Sequence, residues 1–219
     1  WVEWDDKGNV IVSIIYVDGE KWTGRYKEIF YLEGIEKKGV VINYPDGQVK
    51  EEGIIFNDTK VGRWTEYFDN GKRKNTGLYI AGKEHGKWYY WYKSGKKEKV
   101  GVYQNGIKDG LWRGWYFNGN QFFERNYKDG EKNGKWTWWF DNNQVKYSGF
   151  YKDGIKNDKW IEYDQSGDIK IDGVYKNGMQ FNGLFKGEFY FDGEKAEDKI
   201  NYFSDGGTTA EISSKGLTI

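Results

Sequence analysis

Apolar runs of five to seven residues, rich in Trp, Tyr, Phe and Val, alternate along the chain with polar turns such as Asp69-Asn70-Gly71, Lys93-Ser94-Gly95 and Lys128-Asp129-Gly130. Short runs with two-residue alternation, bounded by Gly, Asn and Asp, predict β-strands joined by tight turns. Glycine supplies the positive φ that such turns need, and a neighbouring Asp or Asn closes an Asx-turn. Helices are excluded: Gly falls inside every window of roughly 11 residues, at a cost of roughly 1 kcal/mol each in a helix interior.

The runs repeat. Trp64 to Gly71 returns as Trp88 to Gly95, Trp112 to Gly119, Trp136 to Asn143 and Trp160 to Gly167, always 24 residues on. A second block, Tyr79 to Gly82, keeps the same step as Tyr103 to Gly106, Tyr127 to Gly130, Tyr151 to Gly154 and Tyr175 to Gly178. Each unit reads as one hairpin, and the whole as an all-β, elongated, open single-sheet solenoid of antiparallel β-hairpins with roughly 16 to 18 strands. A propeller is the rival, but its blades take about 40 to 50 residues. Residues 1–219 are expected to form a single array, regular over about 31–193, with a shortened unit at about 20–30 and a C-terminal cap at about 194–219. Val40 stands for the leading Trp, Asn143 and Asp158 each stand for a Gly, and all three are expected to weaken the register locally.

Alternation places Trp64, Trp88, Trp112, Trp136 and Trp160 in one column. With Tyr79, Tyr103, Tyr127, Tyr151 and Tyr175 of the second block these are the structural repeat residues. Tyr67, Trp91, Trp115, Trp139 and Tyr163 form a second column on the opposite face, the expected interaction face, because a sheet one layer thick cannot bury both sides. Gly77, Gly101, Gly149 and Gly173 precede the repeated Tyr by two places, where a missing side chain lets a neighbouring ring lie flat on the backbone; Arg125 breaks that rule.

Composition supports a folded, ring-filled protein. The 219 residues include 12 Trp, 18 Tyr and 13 Phe, against 31% charged residues, and disordered chains are poor in aromatics. Lys plus Arg and Asp plus Glu are both 34, so no global field draws the chain to nucleic acid or an anionic membrane. The lysines from Lys72 to Lys108 are interleaved with Asp69, Glu84, Glu98 and Asp109 and read as a solvated surface. With no Cys and one His, the chain lacks thiol chemistry and the usual zinc motifs. His85 reads as an exposed turn residue, and Asp69, Asp129, Asp141 and Asp153 as turn closers. No catalytic residue, metal or cofactor is assigned.

Gly86, Trp88, Trp91, Tyr92, Gly95, Tyr103, Gly106 and Gly110 make one full turn of the repeat, and this pattern resembles the variant MORN repeat proteins, in particular bacterial YwqK-like proteins of antitoxin type. The resemblance covers most of the chain. It implies hairpins stacked into a long sheet and a non-catalytic scaffold that binds a protein. Trp88-Tyr89-Tyr90 with Gly95 is also similar to choline- and glucan-binding repeats of bacterial surfaces, which implies polysaccharide or choline as the alternative partner. No nucleic acid is expected. The chain opens at Trp1 rather than Met, so a removed signal or anchor is expected, membrane contact would come only through that anchor, and an exported or cell-surface location is favoured over a cytoplasmic one.

Overall fold

The structure, a computed structural model, describes residues 2–4, 10–26, 29–32 and 34–196, with side chains at 18–21 and 34–196. All strand pairing in it is antiparallel, and the chain divides into two compact units: residues 1–131 with 141–143, and residues 132–140 with 144–219.

Unit 1 holds two sheets. The first is β1 (Val2–Trp4), β2 (Val10–Val17), β3 (Glu20–Tyr26), β4 (Ile29–Leu32) and β5 (Ile35–Lys37). The second begins with β6 (Val40–Asn43), β7 (Val49–Phe56), β8 (Thr59–Tyr67) and β9 (Arg73–Ile80). It continues with β10 (Lys83–Trp91), β11 (Lys97–Gln104), β12 (Ile107–Trp115) and β13 (Gln121–Lys128). Unit 2 carries β14 (Glu131–Trp139), β15 (Val145–Lys152), β16 (Ile155–Tyr163), β17 (Ile169–Lys176), β18 (Met179–Phe185), β19 (Glu188–Phe191) and β20 (Glu194–Lys195). In each unit the strands follow chain order and the sheet stays open, a row of hairpins without barrel closure. The described residues hold twenty strands, more than the repeat count predicts, because β1, β5 and β20 are additions of two or three residues.

The regular ladder starts at β6, since β5 and β6 belong to different sheets, and β3 and β4 come up against β7 and β8. The expected shortened unit falls on β3 and β4, whose connecting residues 27–28 and most side chains lie outside the described residues. Most of the expected C-terminal cap, residues 197–219, lies outside them too.

One contact explains the 24-residue step. Four of the five leading indoles lie on a glycine of the preceding strand: Trp64 on Gly53, Trp88 on Gly77, Trp112 on Gly101 and Trp160 on Gly149. A Cβ at any of these glycines would overlap the indole. The indole Nε1–H donates to the carbonyl of the next residue along that strand: Ile54 for Trp64 (3.1 Å), Val102 for Trp112 (3.0 Å) and Phe150 for Trp160 (3.0 Å). Buried indoles need that bond, and it fixes the register of each hairpin on the one before. The five leading Trp side chains are 2 to 4% exposed. After the one-residue insertion the rule survives with Phe185, 1% exposed, lying on Gly173.

The rings interlock as a herringbone. In unit 1, Tyr79 meets Trp88 edge-on at 5.1 Å and Tyr103 meets Trp112 at 5.0 Å. In unit 2, Tyr151 meets Trp136 and Trp160, both at 5.0 Å. Such pairs add about 0.5–1.5 kcal/mol each beyond area burial. Lysines close the layer from above: the ammonium lies 4.1 Å over the ring for Lys60 on Trp64, 4.7 Å for Lys108 on Trp112 and 4.3 Å for Lys156 on Trp160. The stems cover apolar surface while the charges stay wet.

Turn chemistry holds the edges. Asn105-Gly106, Asp129-Gly130, Asp153-Gly154 and Asn177-Gly178 have positive φ at both residues, the two-residue turn that matches strand twist. The turn glycine N–H then bonds the preceding hairpin: Gly106 donates to the Glu84 carbonyl (2.8 Å) and Gly130 to Lys108 (2.9 Å). Asn143 and Asp158 adopt φ of 68° and 57°, as the glycines they replace do. The expected weakening of register is therefore corrected: Asp158 pairs with Tyr175 as Gly62 pairs with Tyr79, because short polar side chains tolerate the left-handed region. Val40 likewise pairs with Gly53 in the leading-Trp register.

Gly101→Ala should cost about 1–3 kcal/mol through overpacking, and Trp112→Ala about 3–5 kcal/mol. In urea unfolding the double variant should cost less than the sum, because removing the indole removes the clash; strict additivity would refute the register mechanism. Ala81 holds φ 47° in the Ala81-Gly82 turn, so Ala81→Asn should raise the unfolding midpoint, by about 1 kcal/mol.

Candidate functional site

The two faces of the hairpin sheet differ in what they use. On β10, Trp88 neighbours Tyr90 while Tyr89 stacks with Trp91 at 6.2 Å, so on this strand the leading and second-column rings lie on opposite sides. Each second-column residue follows a register shift at the end of its strand: Tyr67 opposite Arg73, Trp91 opposite Lys97, Trp115 opposite Gln121, Trp139 opposite Val145 and Tyr163 opposite Ile169.

Along that column exposure is uneven. Trp91, Trp115, Trp139 and Tyr163 are half-buried. Tyr67 is buried, with its hydroxyl donating to Glu52 Oε1 at 2.7 Å, on a strand that β3 comes against. Beside it the Thr65 and Thr76 hydroxyls share a hydrogen bond of 3.0 Å, and Thr76 Oγ1 donates to the Trp64 carbonyl. The Arg73 guanidinium lies 4.8 Å over Trp91. Burial, then the like charge of Arg73, holds the Arg63 guanidinium below its ordinary pKa.

On the Trp face of unit 1 a groove of about 460 Å³ opens across β10 to β13, lined among others by Tyr90, Lys99, Lys108, Trp112, Phe123 and Arg125. Sequence reasoning did not place this groove. Its signal was present in one pair of positions: the residue two after the leading Trp faces the residue two before the second-strand glycine site. The pairs are Glu66 with Asn75, Tyr90 with Lys99, Gly114 with Phe123, Trp138 with Tyr147 and Glu162 with Ile171. They share a face with the invariant indoles yet change chemistry from hairpin to hairpin.

His85 is not the exposed turn residue expected. The turn ends at Gly82, so His85 sits within β10, paired with Leu78 and half-buried. Asp129 and Asp153 do close turns, both at φ 50°. The lysine run is charge-balanced: Lys74 meets Glu66 (3.3 Å), Lys93 meets Asp69 (2.6 Å) and Lys99 meets Glu98 (3.3 Å), surface pairs of small energetic weight. Among the described residues no group of three or more His, Asp or Glu could hold a metal ion, and no helix is long and apolar enough to cross a membrane.

Burial raises the phenol pKa of Tyr79 from 10.0 to about 12, and raises those of Tyr90, Tyr103, Tyr151 and Tyr175. For Tyr90 the hydroxyl contact with Tyr103 adds to burial. The folded state thus keeps protons that the unfolded chain releases near its ordinary phenol pKa. Thermal midpoints should hold level up to the ordinary phenol value of 10.0 and fall as pH rises from there towards about 12. A midpoint that is flat across that window would contradict the burial of the tyrosine column.

The MORN repeat variant family matches residues 60–81 and 132–153. These segments span β8–β9 and β14–β15, the same hairpin, and their starts lie three 24-residue steps apart. No curated protein matches the chain. MORN repeat sequence is therefore present in both units, on the strand pair that carries the leading Trp and the turn glycine.

Proposed function

We propose that the chain is a non-catalytic MORN-repeat scaffold that binds a protein through the second ring column. The observation that carries this reading is the half-exposed series Trp91, Trp115, Trp139 and Tyr163, set at a constant step of 24 residues, with Trp91 stacked on Tyr89 away from Trp88. The leading rings are consumed by packing. Trp91, Trp115, Trp139 and Tyr163 keep part of their surface exposed, and amphipathic rings at fixed spacing with polar neighbours are the anchors protein interfaces favour. Antitoxin-type binding, in which such a face covers a partner's working surface, is one form of this activity. Choline capture is less well supported, because the Arg73 guanidinium already occupies a face of Trp91.

Trp91→Ala and Trp139→Ala test the proposal, since each removes a ring of this column. Both should keep the strand circular dichroism of the parent while losing its partner in pull-downs from native extract, and a glycan panel should register no change. Retention of every partner by both folded variants would overturn the assignment. Loss confined to glycan or choline capture would replace the protein partner with a cell-wall one.

A further inference from the structure

The groove on the Trp face is built from departures in the repeat, and Trp115 of the second column also lines it. Where other hairpins place a side chain two residues after the indole, β12 has Gly114. The Phe123 ring lies down on that glycine, and a Cβ there would overlap it, so Phe123 becomes floor. Two residues further along β13, the site that is glycine in the other hairpins is Arg125, opposite Trp112. Its guanidinium stacks 3.9 Å over Phe123.

Cations gather over these rings. The Lys99 ammonium lies 4.6 Å over Tyr90, and Lys108 lies 4.7 Å over Trp112 and 5.2 Å over Tyr127. Glu98 is the carboxylate lining the groove and pairs with Lys99 at 3.3 Å; Glu84 acts on Tyr90 and Tyr103 from the side. Among the described residues the Lys108 ammonium has only rings for partners, and burial followed by the like charges of Arg125 and Lys99 lowers its pKa. A bound anion would relieve that repulsion. The Tyr90 and Tyr103 hydroxyls, 3.3 Å apart and held protonated, supply polar groups beside the ring surface. Trp112 stands nearly perpendicular to Tyr103, and Tyr90 is tilted 35° from it, so no parallel pair of plates is present to sandwich a flat base.

We propose that this groove binds an acidic sugar. Lys108 and Arg125 hold its anionic group, the C–H face of the sugar ring lies on Tyr90 and Phe123, and the tyrosine hydroxyls meet its hydroxyls. The volume of about 460 Å³ is within the range of small-molecule sites. The anion can be a carboxylate or a phosphate, and a quaternary ammonium is excluded by charge.

Isothermal titration of the full chain at low ionic strength, with a uronic acid disaccharide, glucose 6-phosphate and neutral maltose, tests the proposal. At least one acidic sugar should bind, and the arm that binds identifies the anion. Lys108→Gln and Arg125→Gly should each weaken it about tenfold or more, 0.5 M salt (roughly a 4 Å screening length) should weaken it strongly, and Lys74→Gln should leave it unchanged. Arg125→Gly restores the residue that the other hairpins carry, so it remains decisive if Lys108→Gln fails to fold. Absence of heat from both acidic sugars at about millimolar concentration, equal binding of maltose, or unchanged affinity in Arg125→Gly would overturn it. Trp115 of the second column lines the groove but Trp91 and Trp139 do not, so the Trp91→Ala and Trp139→Ala variants report protein binding separately from binding in the groove.

Discussion

The seating of an indole on a glycine is the contact from which the rest of the hairpin array follows. A sheet with no second layer has little depth in which to bury a side chain, and yet Trp64 and Trp112 are each only 2% exposed. The chain achieves this by laying the ring flat, which requires that the strand beneath have no Cβ, and by bonding its Nε1–H to that strand's backbone. Register, repeat length and hydrogen-bond satisfaction are then one constraint. An insertion or deletion within a unit would move the ring off its glycine and strand the buried N–H, at a cost of about 1–3 kcal/mol for the unpaired donor alone.

That constraint also divides labour between positions. Where an indole lies on a glycine the two must be kept together, and the tyrosine edge and the lysine that close over the ring are nearly as fixed. Glu84 occupies the lysine position of its hairpin, and Trp88 keeps its burial at 4% exposed through Tyr79 and Tyr103 instead. The freedom that remains on the same face is the cross-strand pair beside the indole. In one hairpin Asn75 Nδ2 donates to Glu66 Oε2 at 2.9 Å, and in another Trp138 packs on Tyr147 at 4.8 Å. Neither pair is needed to hold the sheet together, so both can vary.

Much of this was legible in the sequence because repeats average away local ambiguity. Five recurrences of Trp and of Tyr-x-x-Gly fixed strands, turns and the flat-ring role of Gly77 and Gly101 before any coordinate. Four features were not legible. The sheet break between β5 and β6 is a tertiary event in a region where the repeat is already shortened. The burial of Tyr67 depends on Glu52, fifteen residues away on the neighbouring strand, and His85 was misplaced because the turn ends at Gly82, three residues before it. The groove required knowing which variable residues share a face across strands, and the register shift in every hairpin hides that from simple alternation.

Arg125 shows how such an array can acquire a site without losing its fold. Each hairpin packs chiefly on its immediate neighbours, so stability is close to a sum of local terms, and a departure in one hairpin is carried by the ladders on either side. Within unit 1 the Trp112 indole still has Gly101 beneath it and still bonds the Val102 carbonyl. Arg125, paired opposite it, stands where the other hairpins have Gly, and its charge joins Lys99 and Lys108 over a shared ring surface. A compact core would transmit such a substitution throughout. A one-layer repeat confines it, so a binding groove can be written into one hairpin while the glycines and indoles of the others continue to specify the sheet.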